Sequence, residues 1–569
     1  MCGIIGYIGN KNVFPVLISG LKRLEYRGYD SAGIAISNAG LHIYKKKGKV
    51  SELEQHCADK NVTGTLGIGH TRWATHGEPN DTNAHPHSSM HGHFTIVHNG
   101  IIENYADLKK DLLQQGYTFE SETDTEVLCN LIEYFFVQGE EITAEMAVRL
   151  ALSKVVGAYG LAILSADEPG KLIAARKGSP LVIGIGRGEY YLASDAGPIV
   201  EYTDHIVYLN DFDVAIIEKG SFTLKNMENN PVTLKIQQAE FSIGELEKGD
   251  FDHFMLKEIF EQPKTIEDTF RGRLRTGESD IVLGGLLDVF SEIVKARRII
   301  IIGCGTSWHA ALIGEYLIEE YARIPVEVEY ASEFRYRNPV LSAGDIVIAI
   351  SQSGETADTL AALKMAREKG ALILGICNVV GSSISRETAA GVYTHAGVEI
   401  GVASTKAFTA QVTVLTLFAF RLAYKRGTIS TELYHQLIGE LAEVPGKAET
   451  ILVAHPHIKA VAEKIKDSVD ALFLGRGILF PVALEGALKL KEISYIHAEG
   501  YAAGEMKHGP IALVDDNLPV IVVAPRDQYY EKIVSNIHEV KARKGNIIAV
   551  VTAGDTTLKE MADYVLEVP

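Results

Sequence analysis

The second residue of the chain is a cysteine, and its position makes it a candidate nucleophile. Cys2 directly follows Met1. A small second residue permits removal of Met1, which leaves a thiol and a free α-amine on one residue. That amine has a reference pKa of about 7.7–8.0, so near neutral pH it can serve as the base for its own thiol. A chance cysteine in an N-terminal strand is the alternative, and the polar residues that follow decide between the two.

Three motifs downstream carry polar groups that can bind and polarise a substrate of such a thiol. Arg72, in the stretch 69–77, can bind a carboxylate through two hydrogen bonds, with a surface ion pair as the alternative. Asn99 and Gly100 end a predicted strand, where a side-chain amide beside a glycine N–H suits an oxyanion hole. Asp124 begins a predicted helix and can pair with an α-ammonium group, although an N-cap is common there.

A histidine cluster between residues 85 and 93 raises the question of a metal site. Its members are His85, His87, His91 and His93. Their spacing is irregular and no acidic ligand lies nearby in the sequence, so the cluster is predicted to be a solvated loop and no metal is expected.

Two polar loops in the second half follow buried strands. Residues 304–307 follow an apolar run at 298–302, and residues 351–356 follow another at 345–350 and open a helix. Hydroxyls and backbone N–H groups at a helix N-terminus suit a phosphate dianion, and a simple capped turn is the alternative. Because the strands are predicted neighbours, both loops are expected to converge on one pocket. Residues 402–405 follow in the same unit.

A predicted helix at 484–493 carries three charged residues on one face. Glu485, Lys489 and Glu492 are spaced i, i+4 and i+7. An exposed salt-bridge stripe is the usual meaning of this pattern, but the apolar, glycine-rich surroundings favour a functional one. A carboxylate here suits proton transfer between carbons if burial raises its pKa.

The bulk composition excludes several classes of protein. The 569 residues are 46% hydrophobic and 22% charged, with a net charge of −18. This argues against nucleic acid or an anionic membrane as a main partner. The N-terminus has no signal-peptide pattern, and the apolar stretch near 412–420 is predicted to be too short to span a bilayer. Five scattered cysteines indicate a reducing cytoplasm without disulfides or structural zinc.

The pattern of strands and helices changes near the middle of the chain. Residues up to about 240 alternate short β-type runs with fewer helices, which is typical of an α+β domain. Residues 222–262 are polar and are predicted to be an irregular linker. From about 290, buried strands alternate with helices, which predicts a doubly wound parallel sheet.

The second half contains an internal repeat. Residues 301–305 resemble 473–477, and the strands at 346–350 and 371–376 have counterparts at 520–524 and 546–551. The second copy lacks the Ser/Thr loop, so one phosphate loop per pair is expected. By this symmetry, the second copy is expected to be about 30 residues short of a complete unit.

The N-terminal motifs resemble class II glutamine amidotransferase domains, which have an N-terminal nucleophile. The similar segments are 1–6, 26–33, 71–79, 98–103 and 122–126. The resemblance implies sandwiched sheets and a Cys2 that releases ammonia from glutamine through a glutamyl thioester, with the oxyanion at Asn99 and Gly100. It implies that glutamine is bound by Arg72, Trp73, Thr75, His76, Asp124 and Arg27.

The polar loops of the second half resemble sugar isomerase (SIS) domains. A class II glutaminase followed by two SIS units is similar, from residue 1 to 569, to the glutamine–fructose-6-phosphate aminotransferase (isomerizing) family. This implies glutamine and fructose 6-phosphate as substrates, glutamate and glucosamine 6-phosphate as products, and no cofactor. The implied boundaries are 2–221 for the glutaminase, 222–262 for the linker, and 263–435 and 455–569 for the SIS units. The implied sugar-phosphate contacts are Cys304, Gly305, Thr306, Ser307, Ser351, Gln352, Ser353, Thr356, Val402, Ala403 and Ser404.

The same resemblance assigns roles in the sugar chemistry. Glu492 is the implied base between C1 and C2, Lys489 lies beside it, and His508 opens the sugar ring in the site of a partner subunit, which implies a homodimer. The family has a C-terminal tail with a Schiff-base lysine that this sequence does not show. Retained glutamine hydrolysis and sugar-phosphate binding are therefore expected, with weak or no coupled synthesis.

Three other classes of protein share part of this pattern. SIS units also occur in sugar-phosphate sensors, but the Cys2 motifs and the lack of a DNA-binding element argue against a sensor. Other amidotransferases share the glutaminase half, but paired SIS units argue against them. Deglycating paralogues typically lack the N-terminal cysteine, which this chain has.

Overall fold

The computed structural model describes residues 2–74, 77–238, 247–277 and 279–569. Thr75 and His76, which the sequence places in the glutamine pocket, lie outside these ranges. The chain divides into two compact units, Met1–Glu247 and Lys248–Pro569. Each unit is described by itself.

The first unit combines antiparallel strands with a smaller number of helices. In chain order its described strands are β1 Gly3–Ile8, β2 Ser31–Ser37, β3 Leu41–Lys47, β4 Leu66–Arg72, β5 His87–Ser88, β6 Phe94–Ile102, β7 Gly157–Ser165, β8 Lys171–Lys177, β9 Val182–Ile185, β10 Tyr190–Ala193, β11 His205–Tyr208, β12 Asp213–Glu218, β13 Ser221–Asn226 and β14 Gln237–Gln238. Its described helices are α1 Val13–Leu24, α2 Val50–His56, α3 Tyr105–Gln114, α4 Asp124–Phe136 and α5 Ala144–Leu152.

These strands form two sheets that face each other. The described strands of one sheet run β14-β11-β9-β10-β1-β4-β2-β3, and those of the other run β13-β12-β8-β7-β6-β5. Ile4 and Ile68 of the first sheet share an apolar cluster with Val97 and Leu172 of the second. Helix α1 covers the outer face of the first sheet, and α4 and α5 cover that of the second. The predicted sandwich is confirmed.

The strand register brings the N-terminus next to residues from the middle of the unit. In the β1–β4 pair, Gly3 lies opposite Thr71. A Cβ on Gly3 would lie 2.6 Å from Leu24 Cβ and 2.7 Å from Thr71 Oγ1, so this close approach requires glycine. Cys2 is thereby placed beside the residues that follow β4.

The second unit is built from alternating strands and helices. Its described strands are β15 Leu274–Arg275, β16 Asp280–Ile281, β17 Ile299–Gly303, β18 Val326–Tyr330, β19 Ile346–Ser351, β20 Leu372–Cys377, β21 Ala390–Tyr393, β22 Asp470–Gly475, β23 His497–Ala502, β24 Pro519–Ala524, β25 Asn546–Thr552 and β26 Tyr564–Val568. Its described helices are α6 Phe254–Phe270, α7 Phe290–Val294, α8 Thr306–Leu317, α9 Ala331–Tyr336, α10 Ala357–Glu368, α11 Ser383–Glu387, α12 Lys406–Arg426, α13 Thr431–Ala442, α14 Val444–Val453, α15 His455–Ile465, α16 Leu479–Ser494, α17 Tyr530–Lys541 and α18 Thr556–Met561.

Two five-stranded parallel sheets in this unit have the same topology. Their orders are β18-β17-β19-β20-β21 and β23-β22-β24-β25-β26. Each is therefore a 2-1-3-4-5 sheet, and β17, β19 and β20 correspond to β22, β24 and β25. The doubly wound parallel fold and the internal repeat that the sequence predicts are both confirmed.

The predicted irregular linker, 222–262, has regular structure at both ends. Strand β13 pairs with β12 along its whole length, and α6 begins at Phe254. The polar composition misled the prediction because β13 is an edge strand and α6 has few buried side chains, so neither needs a long apolar run.

Helix α12 contradicts the argument that the apolar stretch near 412–420 is too short to span a bilayer. The helix has 21 residues, and its most apolar window has a mean hydropathy of 1.3. Among the helices of the described residues, it alone is long and apolar enough to cross a membrane by length and composition. About 67% of that apolar window is buried inside the unit, where it packs with α6 and α8, as a core helix does.

Candidate functional site

The thiol of Cys2 lies against the backbone of Trp73. The Trp73 N–H donates to Cys2 Sγ at 3.2 Å, and the thiol points toward the Trp73 carbonyl at 3.6 Å. Burial raises the pKa of the Cys2 thiol above its usual value, despite the hydrogen bond from Trp73. The resting form is therefore the thiol, and nucleophilic attack requires a base.

Asn99 and Gly100 lie at the same end of the sandwich. Asn99 Nδ2 donates to the Cys2 carbonyl at 2.9 Å, and the side chain is buried. Gly100 has φ +135°, and a Cβ there would lie 2.1 Å from the Ala158 carbonyl oxygen, so the position accepts only glycine. The structure brings the predicted oxyanion donors to the predicted nucleophile.

A cavity of about 310 Å³ joins these residues to the predicted substrate-binding groups. That volume includes space open to solvent at the mouth of the cavity. The described residues that line it are Cys2, Arg72, Trp73, His85, His98, Gly100, Thr123, Asp124 and Thr125.

The positions of Arg72 and Asp124 exclude the two structural alternatives, a surface ion pair for Arg72 and a helix N-cap for Asp124. Arg72 is only 3% exposed and donates from Nη2 to the Gly77 carbonyl at 3.1 Å, so it is not a surface ion pair. Asp124 does not cap α4, because Thr123 accepts from Glu126 N at 3.3 Å as the N-cap. Asp124 Oδ2 instead accepts from the Ile102 N–H at 2.8 Å.

Arg27 lies outside the described lining of the cavity. Its Nη2 donates to Asp195 Oδ2 at 2.8 Å, and its side chain is largely buried. The geometry therefore gives Arg27 a carboxylate partner, while Trp73 lines the cavity.

The predicted solvated histidine loop is wrong for two of its four members. His85 and His87 are buried, since His85 Nε2 bonds Thr125 Oγ1 at 2.9 Å and His87 Nε2 bonds Thr123 Oγ1 at 3.2 Å. Burial holds the pKa of both imidazoles well below the usual value. In the described ranges, no group of three or more His, Cys, Asp or Glu is arranged to hold a metal.

Sequence reasoning assigned no role to several residues of this site. His98 Nδ1 lies 3.0 Å from Thr125 Oγ1, and Asp30 Oδ2 accepts from the Ala74 N–H at 2.8 Å. Asp30 and His98 lie in the segments 26–33 and 98–103, whose resemblance to the family could have identified them as site residues.

In the second unit, the two polar loops follow adjacent strands at the point where strand order reverses. Strand β17 pairs with β18 on one side and β19 on the other, so the loops after β17 and β19 straddle the switch point. Ligands of open α/β sheets bind in that crevice, outside the carboxyl ends of the strands. The predicted convergence of residues 304–307 and 351–356 therefore has a topological basis.

The first loop is open in this repeat and covered in the other. Gly305, with φ +54°, is the N-cap of α8, and a Cβ there would meet nothing within 4 Å among the described atoms. At the equivalent position, Gly477, a Cβ would lie 2.4 Å from the Tyr529 ring. The Tyr529 ring therefore lies against the turn of the second repeat, where the turn of the first repeat has open space.

The second loop is built around the hydroxyl of Ser351. Ser351 Oγ accepts from the Gly354 N–H at 3.0 Å and lies 3.0 Å from Thr356 Oγ1. Ser353 Oγ accepts from the Glu355 N–H at 3.2 Å. These bonds hold the loop at the N-terminus of α10 with Gln352 between them. Cys304 lies nearby, with Sγ 3.8 Å from Thr359 Oγ1, and burial raises the pKa of its thiol.

The third predicted segment, 402–405, is held by two carboxylates. Glu399 accepts from Ser404 Oγ and the Thr405 N–H, both at 2.8 Å. Glu258 of α6 accepts from the N–H groups of residues 400 and 401. Val402 is exposed and Ala403 is fully buried, so these two neighbours present different surfaces.

Helix α16 of the second repeat contacts the predicted phosphate loop, 304–307, of the first repeat through Glu485. Glu485 Oε1 accepts from Thr306 Oγ1 at 2.9 Å, and Oε2 accepts from His309 Nδ1 at 2.6 Å. Lys489 Nζ donates to Thr306 Oγ1 at 3.1 Å and lies 3.4 Å from Glu485 and 2.7 Å from Glu492 Oε2. The contact with Glu492 is an ion pair without the angles of a hydrogen bond.

His309 and His508 differ from the sequence predictions in opposite ways. His309 was not predicted, because its partner Glu485 lies 176 residues away. His508 is exposed at the end of a short 3₁₀ helix, Ala503–His508. Among the hydrogen bonds of the described residues, none joins His508 to α16. Ser307 is buried and accepts from Gln411 Nε2 at 3.1 Å.

Comparison with family models places known domains on both units. A model described as a glutamine amidotransferase domain matches residues 70–201. A model described as a SIS domain matches residues 292–421 and 464–569.

Curated relatives match along the whole chain. Proteins named glutamine–fructose-6-phosphate aminotransferase (isomerizing) are 58% identical in Chlorobaculum tepidum and 56% identical in Bacteroides thetaiotaomicron. In both cases the match covers 100% of this chain and 93% of the relative. Among solved structures, the C-terminal domain of glucosamine-fructose-6-phosphate aminotransferase from Francisella tularensis is 42% identical, with a TM-score of 0.53, covering 57% of this chain and 90% of that one.

Proposed function

The chain belongs to the glutamine–fructose-6-phosphate aminotransferase (isomerizing) family, and on that premise we propose that it converts glutamine and fructose 6-phosphate to glutamate and glucosamine 6-phosphate. This reaction is the entry to amino-sugar synthesis. The proposal assigns glutamine hydrolysis to residues 2–221 and the sugar chemistry to the repeats at 263–435 and 455–569.

In the glutaminase half, the proposed attack is by Cys2 on the side-chain amide carbon of glutamine. With Met1 removed, the α-amine takes the thiol proton, and the S–C bond forms as the carbonyl becomes an oxyanion near Asn99 and Gly100. The nitrogen leaves as ammonia once it is protonated. Water then cleaves the thioester, which releases glutamate and restores the thiol.

Substrate orientation in this half rests on two buried charges. Arg72 is proposed to bind the α-carboxylate of glutamine and Asp124 its α-ammonium group, which fixes the amide over Cys2. Trp73 lines the same cavity, and Thr75, His76 and Arg27 remain predictions from the family resemblance.

In the sugar half, the loops at the first switch point are proposed to bind the phosphate. Ammonia adds to the C2 carbonyl of the open ketose and water leaves, which gives an imine. Glu492 is proposed to move the proton from C1 to C2 while the proton of the C1 hydroxyl passes to the imine nitrogen, so the carbonyl ends at C1 and the amino group at C2. Lys489, 2.7 Å from Glu492, is a counter-charge for that carboxylate.

Assembly and location are finer parts of the same proposal. His508 is exposed in one chain, which supports a homodimer in which it acts in the partner's site. The five cysteines are unbridged thiols, which supports the reducing cytoplasm that the sequence predicts.

The observation that carries the proposal is the single cavity that holds Cys2, Arg72, Gly100 and Asp124 together. The test is glutamate release from glutamine with and without fructose 6-phosphate, with glucosamine 6-phosphate assayed in parallel, on protein whose Met1 is shown by mass spectrometry to be removed. Release that rises with the sugar and is abolished by Cys2→Ala supports the function. Unchanged release by Cys2→Ala contradicts it.

A further inference from the structure

His70 lies directly beneath Asn99 in the core of the sandwich. It is 1% exposed, on β4, and its Nε2 lies 3.0 Å from Asn99 Oδ1 and 3.1 Å from the His98 carbonyl oxygen. One face of the His70 ring stacks on the His85 ring, with centroids 4.2 Å apart. The imidazole is therefore fixed in position and in orientation.

The hydrogen-bond partners determine which ring nitrogen carries the proton. The Cys2 carbonyl can only accept, so the group of Asn99 that faces it at 2.9 Å is the NH₂ group. The carboxamide oxygen of Asn99 then faces His70, and the His98 carbonyl is also only an acceptor. Nε2 must therefore donate to both oxygens.

The environment keeps this imidazole neutral. Burial lowers the pKa of His70 to about 3, so a single N–H remains across the working pH range. In the described part of the chain, Nδ1 is buried without a hydrogen-bond partner, as expected for the unprotonated nitrogen of that tautomer.

We propose that His70 is a positioning residue for glutamine hydrolysis, which holds the carboxamide of Asn99 with its NH₂ group toward Cys2 and the developing oxyanion. One N–H of that group is bonded to the Cys2 carbonyl, which leaves the second for the substrate oxygen. Without His70, the amide can rotate by half a turn and present its oxygen to an oxyanion. The inference deepens the proposed function and rests on it.

The experiment compares two reactions of the same thiol in the full chain. Glutamine hydrolysis forms an oxyanion, whereas alkylation of Cys2 by iodoacetamide is a direct displacement that forms none. Loss of one oxyanion donor typically lowers kcat about 10²–10³-fold. We expect His70→Leu to lower kcat for hydrolysis about 10²-fold with KM for glutamine within about threefold, and to leave the alkylation rate within about twofold.

A rescue variant and two comparison variants separate positioning from folding. His70→Gln supplies a side-chain N–H donor and should recover most of the lost kcat. Asn130→Leu removes a buried amide whose oxygen accepts from the Met90 N–H at 2.7 Å, away from Cys2, and should leave kcat unchanged. Adding His70→Leu to Asn99→Leu should cost little more than Asn99→Leu alone, since both remove one function.

Two results would overturn the inference in distinguishable ways. If Asn99→Leu lowers kcat but His70→Leu does not, or if His70→Leu slows hydrolysis and alkylation equally, the positioning role is wrong and the proposed function stands. If Asn99→Leu itself leaves hydrolysis intact, the proposed oxyanion hole and this inference are both wrong.

Discussion

Thr306 and Glu485 are hydrogen-bonded across 179 residues of sequence, with Thr306 Oγ1 2.9 Å from Glu485 Oε1. One belongs to the phosphate loop of the first repeat and the other to the helix that carries Glu492 in the second. The same carboxylate also holds His309 and shares Lys489 with Glu492. Glu485 thus sets both the position and the charge around the proposed base.

Glu485→Gln should weaken Glu492 as a base. The amide keeps the shape of the side chain but removes one of the two negative charges that face Lys489, so Lys489 pairs with Glu492 alone and makes that carboxylate a weaker acceptor for the C1 proton. The expected effect is about a tenfold slower exchange of the C1 hydrogen of fructose 6-phosphate with D₂O. Glutamine hydrolysis should not change.

The matched control for this variant is Glu531→Gln, an exposed glutamate on α17 of the same repeat. It should leave the exchange rate unchanged. An exchange rate in Glu485→Gln equal to that of the native chain would show that Glu485 does not act on Glu492 through Lys489.

Gly305→Ala and Gly477→Ala should have opposite signatures. Both glycines have positive φ, so both substitutions strain the backbone. At Gly305 a methyl group has room, so the expected effect is a turned loop and about tenfold weaker binding of fructose 6-phosphate. At Gly477 the methyl group collides with Tyr529, so the midpoint of urea unfolding should fall while binding is retained. Equal loss of binding in both would contradict a single phosphate loop.

Glu258→Gln should make stability less dependent on pH. Burial raises the pKa of Glu258 to about 7 from its usual 4.5. This carboxyl therefore ionises more easily in the unfolded chain than in the folded one. Its protonated form stabilises the fold fully below pH 4.5, and that stabilisation is lost as the pH rises toward 7. The variant should gain up to about 3 kcal/mol relative to the native chain between those limits.

Urea unfolding at a series of pH values from 4.5 to 8 measures that gain. Glu267→Gln, an exposed residue on the same helix α6, is the control and should show a constant difference from the native chain. A constant difference for Glu258→Gln as well would mean that this carboxyl titrates normally.

A peptide extension that leaves Cys2 internal should abolish glutamine hydrolysis. The α-amine becomes an amide without a basic lone pair, and burial already raises the pKa of the thiol. Hydrolysis should fall by more than about 10³-fold, while calorimetric binding of fructose 6-phosphate is unchanged. With the free amine, kcat/KM should rise with pH through the amine's range of about 7–8. Full hydrolysis by the extended chain would exclude the amine as the base.

Local sequence patterns predicted helices and strands well where the structure depends on residues adjacent in the sequence. Strand β1 begins and ends where the apolar run does, at Gly3 and Ile8. The repeat was visible because both copies end their first strand in a glycine-rich turn, at Gly303 and Gly475.

The failures involve partners that are distant along the chain. His85 and His87 are buried because hydroxyls of Thr125 and Thr123, about 40 residues later, satisfy their ring nitrogens. Likewise, nothing near His309 shows that Glu485 faces it. The burial of a polar side chain can be predicted from the sequence only when its hydrogen-bond partner is close in the sequence.

The glycine turn that Tyr529 covers in the second repeat bears on whether either repeat could act alone. The first repeat holds the open loop after β17, and the second holds the proposed base Glu492 on α16, so the proposed sugar site would draw on both copies. A chain with a single repeat should therefore lack either the proposed phosphate loop or the proposed base, and neither repeat alone should carry out the sugar chemistry.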